Sequence, residues 1–213
     1  MKKFLIAHRR SFWNIALMFC VLTAALCCTA CGVPTWLSDA SSIIALVGAS
    51  FASIASFIAG LTGNTALAAL LATVSKWITT VQTGISDLQA LITQYQASPS
   101  TGLLAEIESA LADLKTNVEQ DFSNLGLPPS VLSVIAGIAG EAARLLATWD
   151  LAIQGIKTAP TTAALHAAVA HLSTVADNLP AQMASYKAAV NAILNTKTGD
   201  PATDAALAGA TKL

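Results

Sequence analysis

Apolar residues recur at alternating intervals of four and three positions along most of this chain. The clearest series is Leu67, Leu71, Val74, Ile78, Val81, Ile85, Leu88, Ile92 and Tyr95. The positions between them are mainly threonine, serine and glutamine, so the segment has one apolar face and one polar face. This heptad pattern, sustained over four repeats, predicts a long helix that packs on its neighbours at a shallow angle, as in a coiled coil.

Three further segments carry the same spacing, and short breaks rich in Pro, Gly, Ser or Asn separate them. Their apolar positions fall within residues 104–122, 131–156 and 165–193. Pro180 lies inside the last segment and is expected to kink or split that helix, because proline removes a backbone hydrogen bond and clashes with the preceding turn. No long stretch alternates with a period of two. The pattern therefore predicts an all-α fold, an antiparallel up-down bundle of four to five long helices.

One segment is apolar enough to leave two structural alternatives open. No charged residue occurs from Ala40 to Ser75, and Ile43–Leu61 within it reaches the length of about 20 residues that a membrane span needs. Serines interrupt this segment, and flanking basic or aromatic anchors are sparse. We therefore favour a central buried helix over a transmembrane helix.

The N-terminus has the organisation of an export signal. Residues 1–14 include four basic side chains, and residues 15–26 are apolar. Twelve helical residues extend only about 18 Å, which is too short for a hydrocarbon core of roughly 30 Å. A basic front, a short apolar run and small residues at its end are typical of a secretory signal peptide.

The end of this leader, Leu26-Cys27-Cys28-Thr29-Ala30-Cys31-Gly32, resembles the signal of bacterial lipoproteins. Thr29, Ala30 and Gly32 suit that motif, whereas Cys28 stands where the family usually has leucine. The resemblance implies that Cys31 becomes the first residue of the mature protein and receives diacylglycerol and a further acyl chain such as palmitate. It also implies attachment to the envelope, at the outer membrane if the cell has two. The alternative is ordinary cleavage after Ala30, which leaves a free thiol.

These features predict four regions along the chain. Residues 1–30 are the signal peptide, 31–38 a tether to the lipid anchor, 39–196 the helical bundle and 197–213 a flexible C-terminal tail. Ser38 followed by Asp39 is the predicted start of the first helix, because serine and an acidic first turn favour a helix N-terminus.

Composition narrows the classes of function. All four cysteines lie within the first 31 residues, so the predicted bundle has neither a disulfide framework nor a catalytic or metal-binding thiol. Four of the 11 basic residues lie in the leader, which leaves 7 against 12 acidic residues and a net charge of −5. An acidic domain lacks the basic footprint of a nucleic-acid-binding protein.

The remaining polar residues form no recognisable catalytic or metal-binding motif. His166 and His171 are five positions apart, which is not the i,i+4 spacing that places two metal ligands on one helix face. Glu141 and Arg144 have the i,i+3 spacing of a surface ion pair. We therefore predict no catalytic residue, no metal, no cofactor and no small-molecule substrate, and a protein that is not an enzyme.

Two functions follow as hypotheses. The first is a lipid-anchored helical-bundle protein of the bacterial envelope with a structural or partner-binding role, which meets a protein partner or a second copy through its helices. The alternative is a membrane-active protein that forms pores or inserts through residues 43–74. A third, weaker option is a carrier of an apolar ligand held between the helices.

Overall fold

The computed structural model of the protein describes residues 35–63, 65–98, 100–157 and 162–213, and their side chains except at 35–38, 101 and 151–176. No strand occurs in these ranges, so the predicted all-α fold is confirmed. The six α-helices are α1 (Thr35–Gly60), α2 (Ala68–Ala97), α3 (Thr101–Val118), α4 (Pro129–Lys157), α5 (Thr162–Leu194) and α6 (Pro201–Gly209).

Helix α1, which contains the most apolar segment of the sequence, lies at the centre of the fold. It packs against α2, α4, α5 and α6. Every Ile, Leu, Val and Phe between residues 39 and 60 is buried, whereas the exposed positions carry only alanine, serine or glycine: Ser42, Ala45, Ala49, Ala52, Ala59 and Gly60. In this structure the apolar segment is therefore a core helix, with its large side chains directed towards its neighbours.

The first three helices form two consecutive antiparallel pairs. Gly48 lies beside Ile85, and the ring centroids of Phe51 and Trp77 are 5.0 Å apart. The later residue of α1 therefore contacts the earlier residue of α2, so the two helices run in opposite directions. In the next pair, Gly84 lies beside Leu114, while Trp77 Nε1 donates a 2.6 Å hydrogen bond to the carbonyl of Asn117. The up-down order of the complete bundle stays a prediction.

An aromatic cluster joins these helices at one end. Trp77 packs edge-to-face between Phe51 of α1 and Phe122, which follows α3, with centroid distances of 5.0 and 4.7 Å. Edge-to-face pairs place the positive ring edge on the negative ring face and add to the gain from burial. The cluster thus fixes the segment after α3 against the first helix pair.

The predicted start of the first helix is wrong, and of the two outcomes predicted for Pro180, a kink or a split, the structure contradicts the split. Helix α1 begins at Thr35, so residues 35–38 belong to the helix rather than to the predicted tether, and Ser38 is not its N-cap. Helix α5 runs from Thr162 to Leu194 through Pro180 without being split. Pro180 is exposed, so its ring lies at the surface of the bundle.

The predicted flexible tail is also wrong, because residues 201–209 form helix α6. Asp200 caps this helix: its carboxylate accepts 3.3 Å hydrogen bonds from the backbone N–H groups of Ala202 and Thr203, and Pro201 occupies the first turn. Asp at the N-cap followed by Pro at the first helical position is a strong helix start. The buried residues Ala206, Leu207 and Ala210 attach α6 to the core.

Helix α6 approaches α1 closely because of a glycine. A Cβ added at Gly60 would lie 3.0 Å from both Cα and Cβ of Ala206. A contact this short with backbone atoms forces one helix to move away, since a packed backbone cannot adapt as the end of a long side chain can.

We therefore expect Gly60→Ala to lower the free energy of unfolding by about 1–3 kcal/mol through overpacking. The matched control is Gly140→Ala in α4, where an added Cβ meets no atom within 4 Å. This control should raise stability by up to about 1 kcal/mol, since alanine favours helix interiors over glycine. Urea unfolding followed by circular dichroism measures both, and equal effects of the two substitutions contradict the close approach.

Candidate functional site

The residue that the sequence singles out most strongly, Cys31, lies outside the described residues, as does the rest of the leader. His166 and His171 both lie on the backbone of α5, but their side chains fall outside the described set. Among the side chains that are described, no group of three His, Cys, Asp or Glu residues could hold a metal ion.

The predicted ion pair between Glu141 and Arg144 is present on α4. Arg144 Nη2 lies 3.1 Å from Glu141 Oε1, and the arginine side chain is 76% exposed. Water screens a pair this exposed, so it contributes well under about 1 kcal/mol to stability. It is a surface contact between two successive turns of one helix.

A buried hydrogen-bond chain joins α5 to α1. The Tyr186 hydroxyl donates a 2.6 Å hydrogen bond to Ser50 Oγ, which in turn donates a 2.7 Å hydrogen bond to the carbonyl of Val47. Burial raises the pKa of Tyr186 to about 12. A proton held this tightly is poorly matched to acid–base catalysis near neutral pH, so the tyrosine serves as a structural donor.

The hydrogen-bonded pair was missed because each residue had a simpler explanation in the sequence. Tyr186 occupies an apolar position of its heptad pattern, and Ser50 is one of the serines that interrupt the apolar segment. The sequence does contain one indication of this pair. A serine and a tyrosine that both lie on core faces of their helices each require a hydrogen-bond partner when they are buried.

A groove of about 590 Å³ runs between α2 and α3 on the outside of the bundle. Gly84 lets α3 approach α2 closely, since a Cβ added there would lie 3.4 Å from Leu114 Cδ1. The groove is lined by Lys76, Thr79, Thr80, Thr83, Gly84, Asp87, Ala110, Asp113, Leu114 and Asn117. None of these residues was proposed as a site from the sequence, because the groove depends on how two helices align.

The threonines of the groove hydrogen-bond to their own helix. Thr79, Thr80 and Thr83 each donate to the carbonyl four residues earlier, at 3.0–3.1 Å. Because these hydroxyl hydrogens already bind backbone carbonyls, the threonine hydroxyls can only accept hydrogen bonds from a molecule in the groove. The threonine methyl groups supply the rest of the surface. The α2 wall is therefore mostly small and uncharged.

The charges of the groove are separated along its length. Lys76 and Asp87 are the only charged residues of the 30-residue helix α2, and both line the groove. From the antiparallel alignment of α2 and α3, Asp113 lies in the same half as Asp87, while Asn117 lies in the half that contains Lys76. The groove thus has one acidic half and one basic half, and its chemistry suits binding.

Within the part of the chain that the structure describes, two helices are long and apolar enough to cross a membrane. Asp39–Gly60 has a mean hydropathy of 2.1 and Pro129–Asp150 one of 1.5, and about half of each segment is buried within the bundle. Core helices of soluble proteins have the same properties, so length and composition alone are weak support for a membrane span.

Comparison with known proteins yields no relative. No family model matches the chain, and neither a curated protein nor a solved structure is significantly similar to it. We therefore infer its function from the residues and the geometry of this chain.

The buried Tyr186 predicts a pH dependence of stability. Above pH 10 the unfolded chain loses the phenol proton, whereas the folded chain keeps it until about pH 12. The unfolded state then binds fewer protons, so stability falls with rising pH in this window, by about 2–3 kcal/mol in total.

Tyr186→Phe should remove this contribution and cost about 1 kcal/mol at neutral pH through the lost hydrogen bond. Tyr95→Phe alters the other tyrosine of the chain and should leave the Tyr186 contribution in place. Urea unfolding between pH 8 and pH 12 tests the comparison. If wild type and Tyr186→Phe lose stability in parallel above pH 10, the buried phenol is not responsible.

Proposed function

We propose that this protein is exported, carries lipid on Cys31 and acts in the bacterial cell envelope as an anchored helical bundle with a structural or partner-binding role. The observation that carries the proposal is the leader: a basic front, a short apolar run and Thr29-Ala30-Cys31-Gly32 at its end. The distribution of cysteines supports it, because none occurs after Cys31.

Lipid on Cys31 would attach the protein firmly. Each buried CH₂ group contributes about 0.8 kcal/mol, and stable anchoring requires at least two acyl chains, which a lipoprotein-type modification supplies. Helix α1 begins at Thr35, four residues after Cys31. Four residues span at most about 14 Å, so the N-terminal end of α1 would stay close to the bilayer surface.

A partner-binding role is supported by the groove between α2 and α3. This groove has a volume of about 590 Å³, its walls carry charges of both signs, and the threonines between them are small and held on a helix. Rigid secondary elements hold binding groups more accurately than loops do.

The proposal predicts that Cys31→Ala abolishes incorporation of labelled fatty acid, because no thiol remains at the modified position. The matched control is Cys28→Ala, which alters a neighbouring cysteine and should leave lipidation intact. Mass spectrometry of the N-terminal peptide identifies the modified residue directly. A second variant has an ordinary cleavable leader in place of residues 1–30 and alanine in place of Cys31. It shows whether any membrane attachment of Cys31→Ala comes from an uncleaved leader and not from lipid.

Two results would contradict this proposal. The first is fatty acid still attached to the Cys31→Ala protein. The second is a wild-type protein cleaved after Ala30 with an unmodified thiol at Cys31, which would establish ordinary signal-peptide cleavage.

The second candidate is membrane insertion through residues 43–74, and the observation that favours it is the apolar character of α1. This function requires α1 to leave the core, because its large side chains are directed towards α2, α4, α5 and α6. Insertion would therefore have to unfold the bundle.

Leakage of an encapsulated dye from lipid vesicles tests this candidate with the leaderless chain. We expect no release at neutral pH, since between residues 39 and 60 the folded bundle exposes only small side chains of α1. A variant with Tyr186→Phe loosens the contact between α1 and α5 and serves as a sensitised control. If the wild type releases dye and this variant releases more, the result favours the membrane-active function over the lipid-anchored one.

A further inference from the structure

The groove between α2 and α3 has a symmetric set of lining residues on α2. Its six α2 positions form three pairs about the midpoint between Val81 and Gln82: Lys76 with Asp87, Thr79 with Gly84, and Thr80 with Thr83. The outermost pair is 11 residues apart, which is close to three helical turns and about 17 Å. Both charges therefore lie on one face, at the two ends of the groove.

This arrangement is self-complementary. In a two-fold symmetric interface the same patch meets itself, so each residue contacts the counterpart of its pair. An axis through the midpoint of the α2 stretch places Lys76 opposite the second copy's Asp87, and Asp87 opposite its Lys76. Thr79 then faces Gly84, which has no side chain to oppose it, and Thr80 faces Thr83.

The opposite wall of the groove strengthens the match. Asp113 of α3 lies in the same half as Asp87, so the lysine of a second copy would approach two carboxylates. Asn117 lies near Lys76 and adds an uncharged amide there, so no carboxylate of this wall opposes an incoming acidic half. Charge complementarity of this kind fixes the register of an interface more than its raw affinity.

We propose that the α2–α3 groove is a homodimer interface in which a second copy of this chain docks antiparallel, with Lys76 of each copy paired to Asp87 of the other. Lys76 and Asp87, the only charges on α2, then acquire partners of opposite sign. Ten residues line the groove, fewer than the roughly 20–30 per side of a standard interface, so the dimer is weak and concentration-dependent.

Charge reversal gives a decisive test, because it can break and rebuild the same contacts. Lys76→Asp leaves two acidic ends on each copy, and Asp87→Lys leaves two basic ends. Each variant alone should dimerise about tenfold more weakly than wild type, since two attractive contacts become repulsive. A 1:1 mixture should form a heterodimer, and the double variant Lys76→Asp, Asp87→Lys should regain a homodimer. Both should associate more strongly than either single variant but less strongly than wild type, because the acidic side chain at position 76 also meets Asp113 of the second copy.

The measurement is sedimentation equilibrium of the full chain in density-matched detergent over a range of concentrations. Matched controls are Lys187→Asp and Asp177→Lys, which reverse exposed charges on α5 away from the groove. They should leave the monomer–dimer equilibrium unchanged. Circular dichroism of every variant checks that the fold is intact. We expect no change, because the substituted side chains in the groove are exposed.

The proposal is overturned if wild type is monomeric at all concentrations, or if the mixture of the two single variants associates no better than either variant alone. Equal dimerisation of all variants also overturns it, since it places the interface elsewhere. None of these outcomes depends on Cys31, so they are independent of the lipid-anchor proposal.

Discussion

A helix with no charged residue after Asp39 cannot present its apolar side chains to water, and the structure satisfies this constraint by surrounding α1 with other helices. Each large aliphatic or aromatic side chain removed from water contributes roughly 1.5–3 kcal/mol, and those of α1 are buried without exception between residues 39 and 60. Helices α2, α4, α5 and α6 all pack on it, and each covers part of its apolar face. The positions left exposed are too small to form an apolar patch.

Three specific contacts determine how the other elements sit around this core helix. The aromatic cluster at Trp77 fixes α2 and the segment after α3 against α1. The hydrogen bond from Tyr186 to Ser50 fixes α5, and the close approach of Gly60 to Ala206 fixes α6. Burial is non-directional, so contacts with defined geometry are required to select one arrangement of similar amphipathic helices.

The sequence predicted the helices well, because the apolar spacing of α2 to α5 has a single structural meaning. It favoured a core position for Ile43–Leu61 but left a membrane position open, since removal from water favours both environments. The choice depends on where the small residues lie, and in the structure Ala45, Ala49 and Ala52 form the exposed side.

The C-terminal helix and the groove were missed for different reasons. Residues 197–213 are rich in Gly, Pro, Asp, Thr and Ala, a composition that favours a tail with at most a short turn of helix, although Asp200 followed by proline is itself a helix start. The groove has no counterpart in one helix alone, because its two walls come from α2 and α3 and meet where Leu114 packs beside Gly84. Contacts between elements of this kind cannot be derived from the spacing within each element.

The proposed anchor and the proposed dimer together define a geometry at the membrane. Helix α1 runs antiparallel to α2, so a two-fold axis across α2 places the two α1 starts at opposite ends of the dimer. Both Cys31 anchors can then reach one bilayer only when the bundles lie along its surface. In this account the lipid sets the location, and the bundle itself remains outside the hydrocarbon core.

The central claim is that α1 is the core helix of a bundle and is not a membrane element. Its most direct test is hydrogen exchange of residues 33–213, produced without leader or lipid and kept free of detergent. The account predicts a soluble, strongly helical protein whose slowest-exchanging amides lie in α1 between Ile43 and Ile58. A protein that stays in solution only with detergent, or whose α1 amides exchange as fast as those of the loops, would contradict it.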